Sequence, residues 1–157
     1  MKLELTVSVF GNSYHLLLIP EAEALEIVSE IGKRVILQAE GKPPLHCAIQ
    51  KNKTIGYFIT LGKSTKDKLK IEAGDILQIT FLPDTSKYQL DLCEEFQAVL
   101  ETDLDGEACF DKLKPGMQRG IIHYVNSAKR SDTRIERSLK IIGKIKMGMT
   151  DRKELFR

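Results

Sequence analysis

Tryptophan is absent from this 157-residue chain, and Phe, Trp and Tyr together make up 6% of it. That scarcity weakens any function in which bases or sugar rings stack on aromatic platforms. No apolar run approaches the ~18 residues that a membrane-crossing helix needs. The three cysteines, Cys47, Cys93 and Cys109, are odd in number and widely spaced. Disulfide-stapled secreted domains look different, and a reducing compartment fits better. His15, His46 and His123 stand at no zinc-ligand spacing from these cysteines or from one another, so neither a metal nor a cofactor is expected. Met1–Thr6 alternates polar and apolar residues and carries Glu4, whereas a secretory signal needs a continuous apolar stretch. The expected compartment is the cytoplasm. No Ser or Cys sits in a nucleophile elbow, and Gly116 and Gly120 lack the strand and spacing of a phosphate-cradling loop. The sequence therefore names no catalytic residue, and binding is favoured over catalysis.

What the chain does have is an uneven distribution of charge. Its formal net charge of +2 hides 11 Lys or Arg against 18 Asp or Glu in residues 1–111, and 13 against 4 in residues 112–157. Residues 84–111 alone hold nine carboxylates with Lys87 as their one base. Such asymmetry has two readings: a basic segment that binds nucleic acid or another anion, or acidic and basic helices that neutralise each other inside the fold.

Leu3, Leu5, Val7 and Val9 alternate with polar residues, the period of a half-buried strand. Gly11-Asn12-Ser13 is turn chemistry, so residues 2–19 read as a hairpin. Pro20 opens a helix with Leu25, Val28 and Ile31 as its apolar stripe, and Gly32 closes it. Arg34–Glu40, Leu45–Lys51, Ile55–Leu61 and Ile76–Leu82 read as strands, with a helical turn over Ser64–Leu69. The order strand, helix, Gly, strand occurs twice at a period of about 40 residues, which predicts two equivalent halves closing into one small barrel.

Beyond Asp84 the period changes to 3.6. Leu92, Phe96, Val99 and Leu100 mark one helix, Leu104–Leu113 a second, and Met117, Ile121, Val125 and Ala128 a third. Thr133 with Glu136 has capping-box spacing, followed by Ile135, Leu139, Ile142 and Ile145 as a buried stripe. Arg134, Arg137, Lys140 and Lys144 recur at three- and four-residue spacing, predicting a basic face opposite that stripe. With Arg119, Lys129 and Arg130 they form the candidate set for binding an anion or an anionic partner.

Leu113-Lys114-Pro115, Tyr124-Val125, Ala128-Lys129, Thr133-Arg134, Arg137 and Leu139 resemble, in order and spacing, the YdeI/OmpD-associated family, often labelled bacteriocin-protection proteins. That family carries an aromatic residue, usually Trp and here Tyr124, then Ala-Lys and Thr-Arg-x-x-Arg. Phe10-Gly11, Ile19-Pro20, Lys33-Arg34-Val35, Gly41, Gly56-Tyr57, Leu61-x-Lys63, Gly74-Asp75 and Asp84 resemble the domain of unknown function that commonly precedes it. The resemblance spans about residues 3–147. It implies an AbrB-like double-split β-barrel, an architecture that AbrB-type regulators complete by dimerisation and use to bind DNA. Here both halves lie in one chain.

The expectation is thus an α+β protein: a pseudo-symmetric double-split β-barrel over 1–86, a helical region with a basic hairpin over 87–149, and a loose tail over 150–157. Its expected role is binding or stress protection through an anionic ligand. An AbrB-like nucleic-acid-binding role and an enzyme with a pocket at the barrel mouth are the alternatives, and monomer and homodimer both stay open.

Overall fold

The computed structural model describes residues 1–157, which form two compact units, Met1–Gln89 and Leu90–Arg157. The first is built on an antiparallel sheet and the second is all helical, so the chain is α+β with a C-terminal helical region.

In the sheet unit, alternation does the construction. β1 (Lys2–Phe10) turns through Gly11 at φ 63° into β2 (Tyr14–Ile19). Pro20 ends β2 and precedes α1 (Glu21–Ile31), which Gly32 closes at φ 91° by returning its N–H to the Val28 carbonyl. The buried face of α1 is Ala24 and Ile27, flanked by the partly buried Val28 and Ile31. Leu25, expected on that stripe, is 51% exposed, because one residue is a 100° step and turns it away from the 24–27–28–31 row.

β3 (Arg34–Ala39), β4 (Leu45–Ala48), β5 (Gln50–Asn52), β6 (Gly56–Leu61), α2 (Lys63–Leu69) and β7 (Ile76–Pro83) follow. The single strand expected over Leu45–Lys51 is broken at Ile49. β4 pairs with β3 and β5 pairs with β6, while the Ile49 N–H reaches the Lys33 carbonyl and its side chain is buried. The strand order is β4-β3-β7-β1-β2-β6-β5, so its two ends are one residue apart in the chain. β1 does the same work on the other side, with Lys2–Thr6 on β7 and Val7–Phe10 on β2.

The twofold echo in the sequence therefore has a counterpart in the pairings. Exchanging β1-β2-α1-β3 with (β4-β5)-β6-α2-β7 turns the β1–β2 pair into β5–β6 and the β1–β7 pair into β4–β3. The β2–β6 and β3–β7 pairs map onto themselves. Inside lie Leu5, Val7, Leu17, Leu37, Ile59, Ile79 and Phe81 among others. Burying each such side chain contributes about 1.5–3 kcal/mol.

In the helical unit, α3 (Glu94–Thr102), α4 (Leu104–Asp111), α5 (Pro115–Asn126) and α7 (Arg152–Leu155) all pack on α6 (Ser131–Lys146). Phe96 and Phe110, both fully buried, meet edge to face with ring centroids 5.3 Å apart. The α3 stripe began in the sequence at Leu92, but the helix starts at Glu94. The Asn126 side chain holds the lead-in, donating to the Asp91 carbonyl at 2.7 Å and accepting from the Cys93 N–H at 3.1 Å.

Two readings of α6 need correction. The helix begins at Ser131, ahead of the expected Thr133 cap, and no side chain caps it. Its buried face is Ser138, Ile141, Ile142 and Ile145, while Ile135 and Leu139 are 43% and 59% exposed. The face can include Ser138 because its hydroxyl donates to the Arg134 carbonyl at 2.7 Å, the usual way a helix interior satisfies a serine. Segment 150–157 carries α7. Leu155 is buried, Phe156 meets the Tyr124 ring at 5.0 Å, and Lys144 donates to the carbonyls of Glu154 and Arg157.

Candidate functional site

The phase of α6 decides where its basic residues go. Arg134 lies on the same side as Ser138, Ile141 and Ile145, so it points into the helical unit and not opposite the apolar stripe. Its Nη2 donates to Glu95 Oε1 of α3 at 2.8 Å, and its Nη1 donates to the carbonyls of Ala128 and Lys129 at 2.9 and 3.0 Å. The two side chains of this ion pair are 23% and 14% exposed. Arg134 holds the Glu95 carboxyl down at about 2, helped by the Glu95 N–H and by Ser131. Arg134 is itself held above its usual range, mainly by Glu95. Its Nε is buried without a hydrogen-bond partner. The fork therefore ties α3 to the α5–α6 connection.

Arg137, three residues on, sits 60° around the helix and faces α5 instead. Its guanidinium lies 4.4 Å from the centroid of the Tyr124 ring. Its Nη1 donates to the Tyr124 carbonyl at 2.8 Å and to Ser127 Oγ at 3.2 Å. Tyr124 O is among the carbonyls that a helix C-terminus leaves without an intrahelical donor, and a cation there also suits the helix dipole.

The remaining candidates divide in two. Lys144 is occupied by the carbonyls of Glu154 and Arg157, and Arg130 meets Asp132 at 2.7 Å with both side chains largely exposed. Arg119, Lys129 and Lys140 have no carboxylate partner for their charge; Lys129 and Lys140 are exposed and Arg119 is half-buried. The structure thus brings Arg134 and Arg137 onto internal partners and does not gather all seven residues on one face.

Several residues at this site carry no signal of their own in the sequence. Glu95 is 39 residues from Arg134, and nothing in local spacing pairs them. Lys146 bonds Asp103 at 2.9 Å, and Asp103 also caps α4 by accepting from the Gly106 N–H. That N–H first, and Lys146 second, hold the Asp103 carboxyl below its usual range. Gly106 is buried, and a Cβ there would stand 2.5 Å from Ile142 Cγ2. The charge division across the sequence is resolved here: residues 90–157 hold 13 Lys or Arg against 12 Asp or Glu.

In the sheet unit the chemistry centres on Asp84. Its side chain is fully buried, His46 Nδ1 donates to Oδ2 at 2.6 Å, and the Ser86 N–H and hydroxyl donate to Oδ1 at 3.1 and 2.6 Å. Burial alone would raise the carboxyl, but Ser86 and His46 outweigh it and keep Asp84 below its ordinary value. Burial pushes the neighbouring Cys47 thiol up to about 12, which makes it a packed side chain and no nucleophile.

Residues 89–148 match the family model described as bacteriocin-protection, YdeI or OmpD-associated. The match covers most of the helical unit and leaves the sheet unit outside it. No curated protein and no solved structure matches the chain. Over residues 89–148 the chain is similar to that family.

Proposed function

We propose that this chain is a non-enzymatic binding protein of the bacteriocin-protection kind, whose helical unit meets an anionic partner through the cations that the fold leaves outside. The observation that carries this reading is the division of labour among the basic residues. Arg134, Arg137 and Lys144 hold the unit together. Lys129, Lys140 and Arg119 have no internal carboxylate, and Arg130 meets only the exposed Asp132. With the unit close to neutral overall, attraction to a polyanion is local and modest.

Fluorescent random DNA and RNA, double- and single-stranded, titrated across a salt series, test this reading. Dissociation constants of about 10⁻⁴–10⁻⁶ M near physiological salt are expected, weakening as salt rises. A Lys129→Ala/Arg130→Ala/Lys140→Ala variant should bind more weakly and lose roughly three contacts' worth of salt dependence. Absence of binding even at low salt removes the reading.

The alternative of an AbrB-like nucleic-acid-binding protein draws on the sheet unit. Joining of the strand order through Ile49 and the internal exchange of halves support a double-split β-barrel there. Both halves come from one chain, so dimerisation is not needed to complete it. Three free thiols support a cytoplasmic location.

A further inference from the structure

We infer that the sheet unit carries a second binding site, a cleft of about 750 Å³ beside α2 that takes a small phosphorylated molecule. The volume is in the range of small-molecule pockets, which run from about 300 to 1,000 Å³. Its walls combine three basic side chains with an apolar floor. Lys63 and Lys66 stand one turn apart on α2, so their ammonium groups reach the same space. Lys66 Nζ donates to His15 Nδ1 on β2 at 3.1 Å. Leu61 and Ile71, 2% and 4% exposed, line the floor, and Tyr14, 67% exposed, stands at the rim.

The polar contacts make the assignment specific to an anion. A lysine ammonium beside an imidazole nitrogen is satisfied only while that nitrogen offers its lone pair. The same Nδ1 lies 3.2 Å from the Ser13 carbonyl, towards which it would have to donate. It cannot serve both, so either Lys66 or the Ser13 carbonyl gives up its partner. Neither Lys63 nor Lys66 has a carboxylate within ion-pair distance, although Asp67 and Glu72 also border the cleft. A phosphoryl oxygen placed between Lys66 and Lys63 accepts from both and frees Nδ1 to donate to Ser13. It converts an exposed Lys63, a half-buried Lys66 and an ambiguous contact into one satisfied network. The cleft is larger than phosphate requires, and the Tyr14 ring with the Leu61–Ile71 floor provides the surface for an apolar or planar body attached to it.

Phenyl phosphate and inorganic phosphate, titrated by calorimetry and by amide NMR shifts at low salt, are the probes. Phenyl phosphate should bind saturably with a dissociation constant on the order of 1 mM, as expected for a ligand of this size. It should bind more tightly than phosphate, with shifts confined to residues 13–15, 60–67 and 71–73. Lys63→Ala/Lys66→Ala should weaken it at least tenfold, while Lys66→Arg retains it. Both lysine side chains lie outside the core, so the variants should melt as the parent does; if the double variant is unfolded, Lys63→Gln alone, at an exposed position, supplies the comparison. Phosphate binding as tightly as phenyl phosphate overturns the assignment of the apolar body. No saturation by either probe, or binding unaffected in the lysine variants, overturns the site. The DNA-binding variant of the helical unit leaves this cleft intact, so the two proposals fail separately.

Discussion

Replacing Arg137 by Lys separates a structural arginine from a ligand-binding one. Lysine keeps the positive charge and its effect on the α5 dipole, but has no planar fork and stacks poorly on Tyr124. The guanidinium at 4.4 Å from the ring contributes about 0.5–1 kcal/mol at a partly exposed site. The charge-assisted bond to the Tyr124 carbonyl at 2.8 Å contributes about 1.5 kcal/mol, part of which a lysine recovers. The net loss is about 1–2 kcal/mol. For a unit of this size, each kcal/mol shifts the melting temperature by roughly 4–8 °C, so a fall of about 4–16 °C is expected. Far-ultraviolet circular dichroism reads it well, because five of the seven helices belong to this unit. Arg137→Ala should fall further. A Lys variant that melts like the parent and yet loses polyanion binding would refute the reasoning, since Arg137 would then be held in place for a partner.

Three further outcomes follow from the geometry. Gly106→Ala sets a methyl 2.5 Å from Ile142 Cγ2 and 2.9 Å from Asp103 Cγ; the overpacking cost of about 1–3 kcal/mol outweighs the gain in helix propensity. A lowered urea midpoint checks it, and a raised one sinks it. The Glu95 carboxyl should titrate at about 2 by NMR and return toward its ordinary 4.5 in Arg134→Ala. Because the folded value is depressed, the stability from this pair is complete above about 4.5 and lost as pH falls through about 2. Cys47, buried and with its thiol raised to about 12, should resist alkylation at neutral pH until the sheet unit unfolds; rapid labelling of the native protein, read by mass spectrometry, would contradict its burial.

The parts of the fold legible in the sequence are those fixed by local chemistry. Gly11 and Gly32 occupy positive-φ positions that an L side chain resists, and Pro20 can neither continue a ladder nor sit inside a helix. The break at Ile49 was not legible, because Leu45, Cys47 and Ile49 keep one apolar phase straight through it. A period of two says which face a residue takes but not which neighbour it pairs with, and here the partner changes from β3 to β6 on either side of the buried Ile49. The phase of α6 was hidden for a different reason. Ile142 and Ile145 belong to both possible faces, and the true one includes Arg134 and Ser138, which composition assigns to water. Ser138 is buried and Arg134 half-buried only because another group satisfies each, the helix backbone for Ser138 and Glu95 from α3 for Arg134.

That same phase explains why a run of 13 basic residues against 4 acidic ones need not be an anion-binding surface. α6 lies against α3 and α4, the helices that carry most of the late carboxylates, and two of its cations reach them directly, Arg134 to Glu95 and Lys146 to Asp103. The two arginines of Thr-Arg-x-x-Arg serve different neighbours because three residues turn a helix through 300°. Arg134 is thereby aimed at α3 and Arg137 at the end of α5. A spacing of four would have placed both on the buried face with Ser138, and a spacing of two would have turned the second 200° away from the first. The motif on this reading specifies how three helices meet. Selectivity for a partner then falls to residues outside it, Lys129, Arg130 and Lys140, whose replacement should change binding and leave the helical unit's melting temperature where it was.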